Sequence, residues 1–371
     1  MSSARLTIVF LCVLLLSCSG GEKPESPNTK IIYANFGGAG ENVPFKLSQV
    51  IDSVRYISIE SSSVPIGHVQ ELKFACNRYY LADQSSHTIY VVDEDGGITS
   101  HIGRLGRAEN EYITLQCFDV NPANGQVSIY DGASRKMVIY AENGDFVRSF
   151  RTDRSDVIRD FAVMADGSYL FYTPDYAAGS HRGAWLADSN GMFISQLITI
   201  DDNFRYGGLY PEYLYRLNDE TICLMGGEDH DRIYHIIRDS VSVPYKIDPG
   251  LSIPRSLRSE SLVDMNKYRG SIYTKSDYIE TDGWMSVTLS DMMQNVLIFY
   301  DKKNDITYII KNEDEIINDA KLFCGFGLSC YNRLISVVEA YAIVDNKDLR
   351  EMFPDITYDS NPVLAVFYTT H

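Results

Sequence analysis

The chain has no run of Lys or Arg, no Cys-x-x-Cys pair, no Gly-x-Ser-x-Gly, and no apolar stretch near 20 residues. Each absence removes a class of function. Without a basic patch, a formal charge of −17 repels nucleic acid and anionic lipid alike, so neither is a partner. Without paired cysteine spacing, the seven cysteines do not read as a zinc site or a disulfide framework. Without a nucleophile elbow, a Ser/His/Asp grouping or an assignable pair of catalytic carboxylates, no catalytic residue is proposed. Enzyme activity is left open on this ground, leaning against it, because catalytic residues drawn from distant parts of a chain leave no local motif.

The apolar run that does occur is short and N-terminal. Met1 to Arg5 carries one cation, Leu6 to Leu16 is apolar, and Leu15-Leu16-Ser17-Cys18 follows. That pattern is a secretory signal rather than a spanning helix, which needs about 20 residues. Cys18 after Leu-Leu-Ser resembles a lipobox, which implies acylation of its sulfur and residues 1–17 as a cleaved signal. Residues 18–44 then read as a lipidated tether and flexible linker, because Ser19 to Asn28 is rich in Gly, Pro and Ser with nothing to bury. The expected address is the outer membrane, on its periplasmic or cell-surface face, with the membrane engaged through the lipid alone. Of the remaining cysteines, Cys76, Cys117, Cys223, Cys324 and Cys330 lie beside apolar residues and read as small buried hydrophobes. A Cys324–Cys330 bridge is the one conceivable pairing.

The rest of the chain repeats. Tyr79–Asp83, Thr88–Asp93 and a Gly96-Gly97 turn give a strand, a break, a strand and a hairpin signal. Val127–Asp131, Met137–Tyr140 and Asn143-Gly144 return at an offset of 48. Ser168–Tyr172, Ala184–Asp188 and Asn190-Gly191 follow, with 47 between the glycines at 144 and 191. Further copies begin at Thr221 and Trp284, and a weaker one at Leu334. Short strands at this period predict an all-β, six-bladed β-propeller over residues 45–371. A sandwich has no reason to keep such an offset. Ser53–Ile59 and Pro362–Thr369 flank the copies, so the N-terminal strand is expected to pair with the C-terminal one and close the ring.

Leu47 to Ile57, Ile102-Gly-Arg-Leu-Gly-Arg-Ala-Glu-Asn-Glu-Tyr112, Pro211 to Tyr215 and Asn361-Pro362 resemble the six-bladed β-propeller lipoproteins of anaerobic gut bacteria. The resemblance spans the mature chain and implies a fold and an envelope address, but no activity. Members carry Gly-Pro-Gly where this chain has Ala108-Glu109-Asn110.

Loops on a rigid scaffold are where binding residues lie. Arg104, Arg107 and Tyr112 in the first inter-blade connection, and Tyr206 and Tyr210 in another, are therefore the candidate ligand contacts. The alternative for the first group is that Arg and Glu pin the turn while Tyr112 packs between blades. Tyr213 and Tyr215 alternate and read as core. Glu228, Asp229, His230, Asp231 and His235 form an acidic, histidine-bearing turn. His230 and His235 are five apart, which puts them on opposite faces of a strand, so no metal and no cofactor are assigned. These features point to a non-catalytic binding or scaffolding lipoprotein for a carbohydrate, peptide or partner protein. The alternative is a propeller hydrolase or lyase, with calcium dependence an option, acting on extracellular glycans or lactones.

Overall fold

The computed structural model describes residues 28–34, 45–61, 65–152, 157–173, 181–200, 213–225, 231–248, 250, 274–290, 295–311, 316–319 and 328–370. Six antiparallel sheets stand around one axis as the blades of a propeller. Blade 1 runs outward through Val69–Ala75, Arg78–Asp83, Thr88–Val92 and Ile98–Ile102. Blade 2 is Cys117–Val120, Val127–Asp131, Lys136–Tyr140 and Phe146–Arg151; blade 3 is Asp160–Val163, Tyr169–Thr173, Gly183–Ala187 and Phe193–Thr199. Blade 4 is Leu214–Arg216, Thr221–Leu224, Arg232–Ile237 and Ser240–Asp248. Blade 5 is Thr274–Glu280, Trp284–Ser290, Asn295–Asp301 and Ile306–Ile310. Blade 6 takes Leu328–Cys330, Arg333–Val338 and Val363–Thr369 from the end of the chain and Ile51–Ser58 from its beginning.

The repeated phrase corresponds to the second and third strands of each blade. These are buried on both faces, as the uniformly buried Val127–Asp131 and Lys136–Tyr140 show. Their turns have a physical cause for the offset. Asp83 accepts from the Ser85 N–H at 2.9 Å and the Ser86 hydroxyl at 2.8 Å. Asp131 accepts from the Ala133 N–H at 3.1 Å and the Ser134 hydroxyl at 2.5 Å. In both, the carboxylate folds the turn back on itself. At the next hairpin Gly96, Gly144 and Gly191 hold φ at +92°, +87° and +80°, where a side chain is strained.

The ring closes as expected. Val363–Thr369 pairs antiparallel with Ile51–Ser58, from Val363 opposite Ser58 to Thr369 opposite Ile51. The core is a set of inter-blade clusters, such as Ile89 and Ile102 of blade 1 against Val138 and Tyr140 of blade 2. Tyr213 and Tyr215 are both buried, but against different neighbours: Tyr213 packs towards blade 3 and Tyr215 towards blade 5.

Two expectations need correction. The 18–44 segment is not linker throughout, because Lys30–Tyr33 adds a fifth, parallel strand to blade 4. Ile32 is 1% exposed there, so this short run has a side chain to bury after all. Cys76 is exposed rather than buried, in the first hairpin of blade 1, whereas Cys117, Cys223 and Cys330 are buried. Cys330 is a free thiol directed at the Phe74 carbonyl, and Cys324 lies outside the described residues. Two short helices, Ala340–Asp345 and Lys347–Met352, interrupt blade 6, the second capped by Asn346. Among the described residues no helix is long and apolar enough to cross a membrane.

Candidate functional site

Each blade begins at the axis on one face and ends at the rim on that same face. The connections between blades therefore share one face, the crossover face. The first hairpin of every blade, and the third of blades 1 to 5, share the other.

The first crossover is a built structure. Gly103 has φ of +124°, and a Cβ there would stand 2.1 Å from the Tyr112 hydroxyl oxygen, so Gly is required for the ring to pass. Tyr112 is fully buried between blades 1 and 2, and its hydroxyl donates to the His87 carbonyl. It is a wedge that no ligand reaches, which corrects its expected role. The buried Lys136 donates to the carbonyls of Ala108, at 2.9 Å, and Glu111. Burial pulls its ammonium below the ordinary lysine range. The Tyr140 hydroxyl donates to the Asn110 carbonyl at 2.7 Å, and the Glu111 carboxylate accepts from the Ala108 N–H at 2.9 Å. Asp131 receives the Ile113 N–H at 2.9 Å and the Thr114 N–H at 3.1 Å. Burial raises that carboxyl, but these donors outweigh it and hold the pKa below its usual value.

Lysine and backbone thus pin the turn, and not Arg–Glu pairing. Arg104 and Arg107 are exposed and, among the described residues, neither forms an ion pair. Leu105 between them is 50% exposed. Tyr206 and Tyr210 lie outside the described residues. The flanking strands that end at Thr199 and begin at Leu214 do so on the crossover face.

At the axis the inner strands carry charges of both signs. Arg216 of blade 4 reaches Asp119 of blade 2 at 2.6 Å, with both side chains about 5% exposed, and also donates to the Val163 carbonyl at 2.6 Å. Burial disfavours the guanidinium, but Asp119 more than compensates and its pKa is raised. Lys73 lies 3.1 Å from Glu71. Asp160 accepts from the Tyr213 and Leu214 N–H groups at 2.9 Å each, while burial pushes its carboxyl up against Lys73 and these donors. Among the described residues the inner strands present opposed charges rather than one sign.

A second buried set joins blades 4 and 5. One Glu280 oxygen lies 2.7 Å from His235 Nε2 and accepts from the Tyr278 hydroxyl at 2.5 Å. The other accepts from Lys302 Nζ at 2.6 Å and the Tyr245 hydroxyl at 2.8 Å. Burial would raise this carboxyl, but His235 and Lys302 draw it down from 4.5 to about 2. A depressed carboxylate stabilises the fold above its unfolded pKa and loses that contribution as pH falls towards the folded value. Acid unfolding between pH 4.5 and about 2 should therefore be steep, and Glu280→Gln should flatten that limb in an acid titration followed by circular dichroism. An unchanged limb would show that Glu280 does not carry it.

His235 thus lies against the Glu280 carboxylate. Among the described residues no group of three or more His, Cys, Asp or Glu is placed to hold a metal ion. Glu228, Asp229 and His230 lie outside the described residues, and Asp231 pairs with Lys246 at 3.6 Å. Sequence reasoning missed Lys73, Asp119, Asp160, Arg216, Glu280 and Lys302. The available signal was a single charge inside an apolar strand, as in Phe118-Asp119-Val120.

Comparison with known proteins locates the fold. No curated protein matches the chain. A solved structure of a protein from Bacteroides fragilis, described as exported, is 16% identical with a TM-score of 0.71, and the alignment covers 92% of this chain and 100% of that one. A member of the DUF4221 family from Bacteroides vulgatus is 8% identical with a TM-score of 0.47, covering 86% and 97%. Virginiamycin B lyase of Staphylococcus aureus is 9% identical with a TM-score of 0.42, covering 70% and 74%. The first of these supports the six-bladed ring and nothing about chemistry. One family profile, described as a domain of unknown function, matches residues 34–368, and so the chain belongs to the DUF4934 family.

Proposed function

We propose that the protein is an envelope-tethered propeller that binds without catalysis, presenting its crossover face to a carbohydrate, peptide or partner protein. The observation that carries this reading is the axis. A propeller hydrolase or lyase would gather its acid, base or cation ligands there. Instead Arg216 is committed to Asp119 and Lys73 lies against Glu71. Binding capacity lies at the rim of the axis, where the rigid 103–114 crossover holds Arg104, Leu105 and Arg107 into solvent.

Lys30–Tyr33 runs parallel to Ser240–Asp248, which ends on the crossover face, so the described chain enters this strand from its hairpin-side end. Thr29 and Lys30 fix that approach through the Val243 carbonyl and Asp305. The anchor has a direct test. Detergent-phase partitioning of the full-length protein should be lost in Cys18→Ala; a variant still in that phase, with unchanged precursor size, removes the lipid from the account.

The functional test is an array of glycans and peptides probed with the protein, with turnover measured on every hit. Saturable binding without product, weakened at least tenfold by Arg104→Ala or Arg107→Ala, is the expected result. Product formation from any bound ligand would overturn the non-catalytic reading.

A further inference from the structure

On the hairpin face, opposite Arg104 and Arg107, a cleft of about 370 Å³ opens between blades 2 and 3. That is within the usual range of small-ligand sites, about 300–1,000 Å³. Four side-chain amides line it: Asn121, Asn124 and Gln126 from the first hairpin of blade 2, and Asn190 from the third hairpin of blade 3. The Asn121 and Asn124 carbonyl oxygens fold their own turn by accepting the Ala123 and Gln126 N–H groups, at 2.8 and 3.0 Å. Their Nδ2 groups have no partner among the described residues, and neither does the Gln126 side-chain amide. At the floor the buried hydroxyls of Ser128 and Tyr169 lie 3.2 Å apart.

The charges at this cleft are already committed. Arg148 donates to Asn190 Oδ1 at 3.2 Å and to the Ser189 carbonyl at 2.5 Å, which fixes the Asn190 amide and leaves its Nδ2 for a ligand. One Asp166 oxygen receives both the Ser168 N–H, at 2.9 Å, and its hydroxyl, at 2.6 Å. Asp166 also borders a second cleft, of about 570 Å³ between blades 3 and 4, where Asp219, Glu220 and Asp239 face a single cation, Arg238. An anion extending along this path meets three carboxylates in a protein of charge −17. An apolar ligand would strip the amides and hydroxyls of water without replacing their hydrogen bonds.

We infer that this amide-lined cleft binds a neutral saccharide. Each planar amide offers a donor beside an acceptor, the complement of adjacent hydroxyls on a sugar ring, and existing hydrogen bonds fix the three asparagine amides before the ligand arrives. The site is separate from the crossover face and does not depend on that face binding anything.

The test is titration calorimetry of the full chain against three probe sets. These are neutral tetrasaccharides of glucose, galactose, mannose and xylose; the corresponding uronate tetrasaccharides; and uncharged tetrapeptides. A neutral tetrasaccharide should bind with Kd below about 1 mM. Gln126→Leu and Asn190→Ala should each weaken it at least tenfold at unchanged melting temperature, while Arg107→Ala leaves it intact. Two variants are used so that one misfolded protein does not decide the outcome. Silence across the neutral sugars overturns the inference. Loss in Arg107→Ala alone overturns it too, while supporting the crossover face as the binding surface. A preference for uronates or for peptides overturns the ligand class.

Discussion

Removing residues 362–371 should abolish the cooperative fold rather than fray one blade. The deleted segment includes Val363–Thr369, which lies between Arg333–Val338 and Ile51–Ser58 and so carries the only pairing that links the two ends of the chain within blade 6. Val363, Leu364, Ala365, Val366 and Phe367 are each no more than 1% exposed. Burying a large aliphatic or aromatic side chain contributes about 1.5–3 kcal/mol, so this strand accounts for burial comparable to the net stability of a typical domain, about 5–15 kcal/mol. Its loss also opens both edges of the ring, leaving Ile51–Ser58 without a sheet. The measurement is a thermal melt by near- and far-ultraviolet circular dichroism, with Leu364→Ala as a milder companion expected to cost about 2–5 kcal/mol. A truncated chain that melts at the parent temperature with equal cooperativity would refute closure through this strand.

What could be read in advance follows from how each strand is used. Second and third strands such as Val127–Asp131 are buried on both sides and end in turns that demand Asp or Gly, so their composition and spacing are both constrained. Some inner strands are short: Leu214–Arg216 and Leu328–Cys330 have three residues each, too few for a periodicity to emerge. Lys30–Tyr33 was hidden for a related reason, since four residues beside a Gly/Pro-rich stretch carry little pattern until blade 4 supplies a partner. The helices after Val338 lack a long amphipathic repeat and are held by tertiary contact, Ile343 and Leu349 being buried against blade 6. At the crossover the sequence located the joint but not the division of labour. The pinning cation, Lys136, sits 25 or more residues from the carbonyls it holds, and only the fold brings it there. Arg104 and Arg107, by contrast, were legible as loop cations, and their exposure leaves them available.

The charges at the axis were the least legible part, and they support the second large prediction. Arg216→Met should destabilise the domain by about 3–5 kcal/mol, because it strands the Asp119 carboxylate in a site about 5% exposed, where it keeps one donor, the Val163 N–H at 2.8 Å. Asp119→Leu should cost a similar amount by leaving the guanidinium unpaired. The double variant, Asp119→Leu with Arg216→Met, should recover much of that loss, because it removes both desolvated charges and replaces them with apolar groups of comparable size. Chemical denaturation of all four proteins gives the coupling directly. Strong coupling would mean that the pair spans blades 2 and 4 as one unit, holding the inner strands at fixed spacing. Additive losses would mean that the two charges are solvated separately, and the axis would then be open to a ligand after all. That result would return the catalytic alternative to the centre of the ring, so this stability measurement also bears on function.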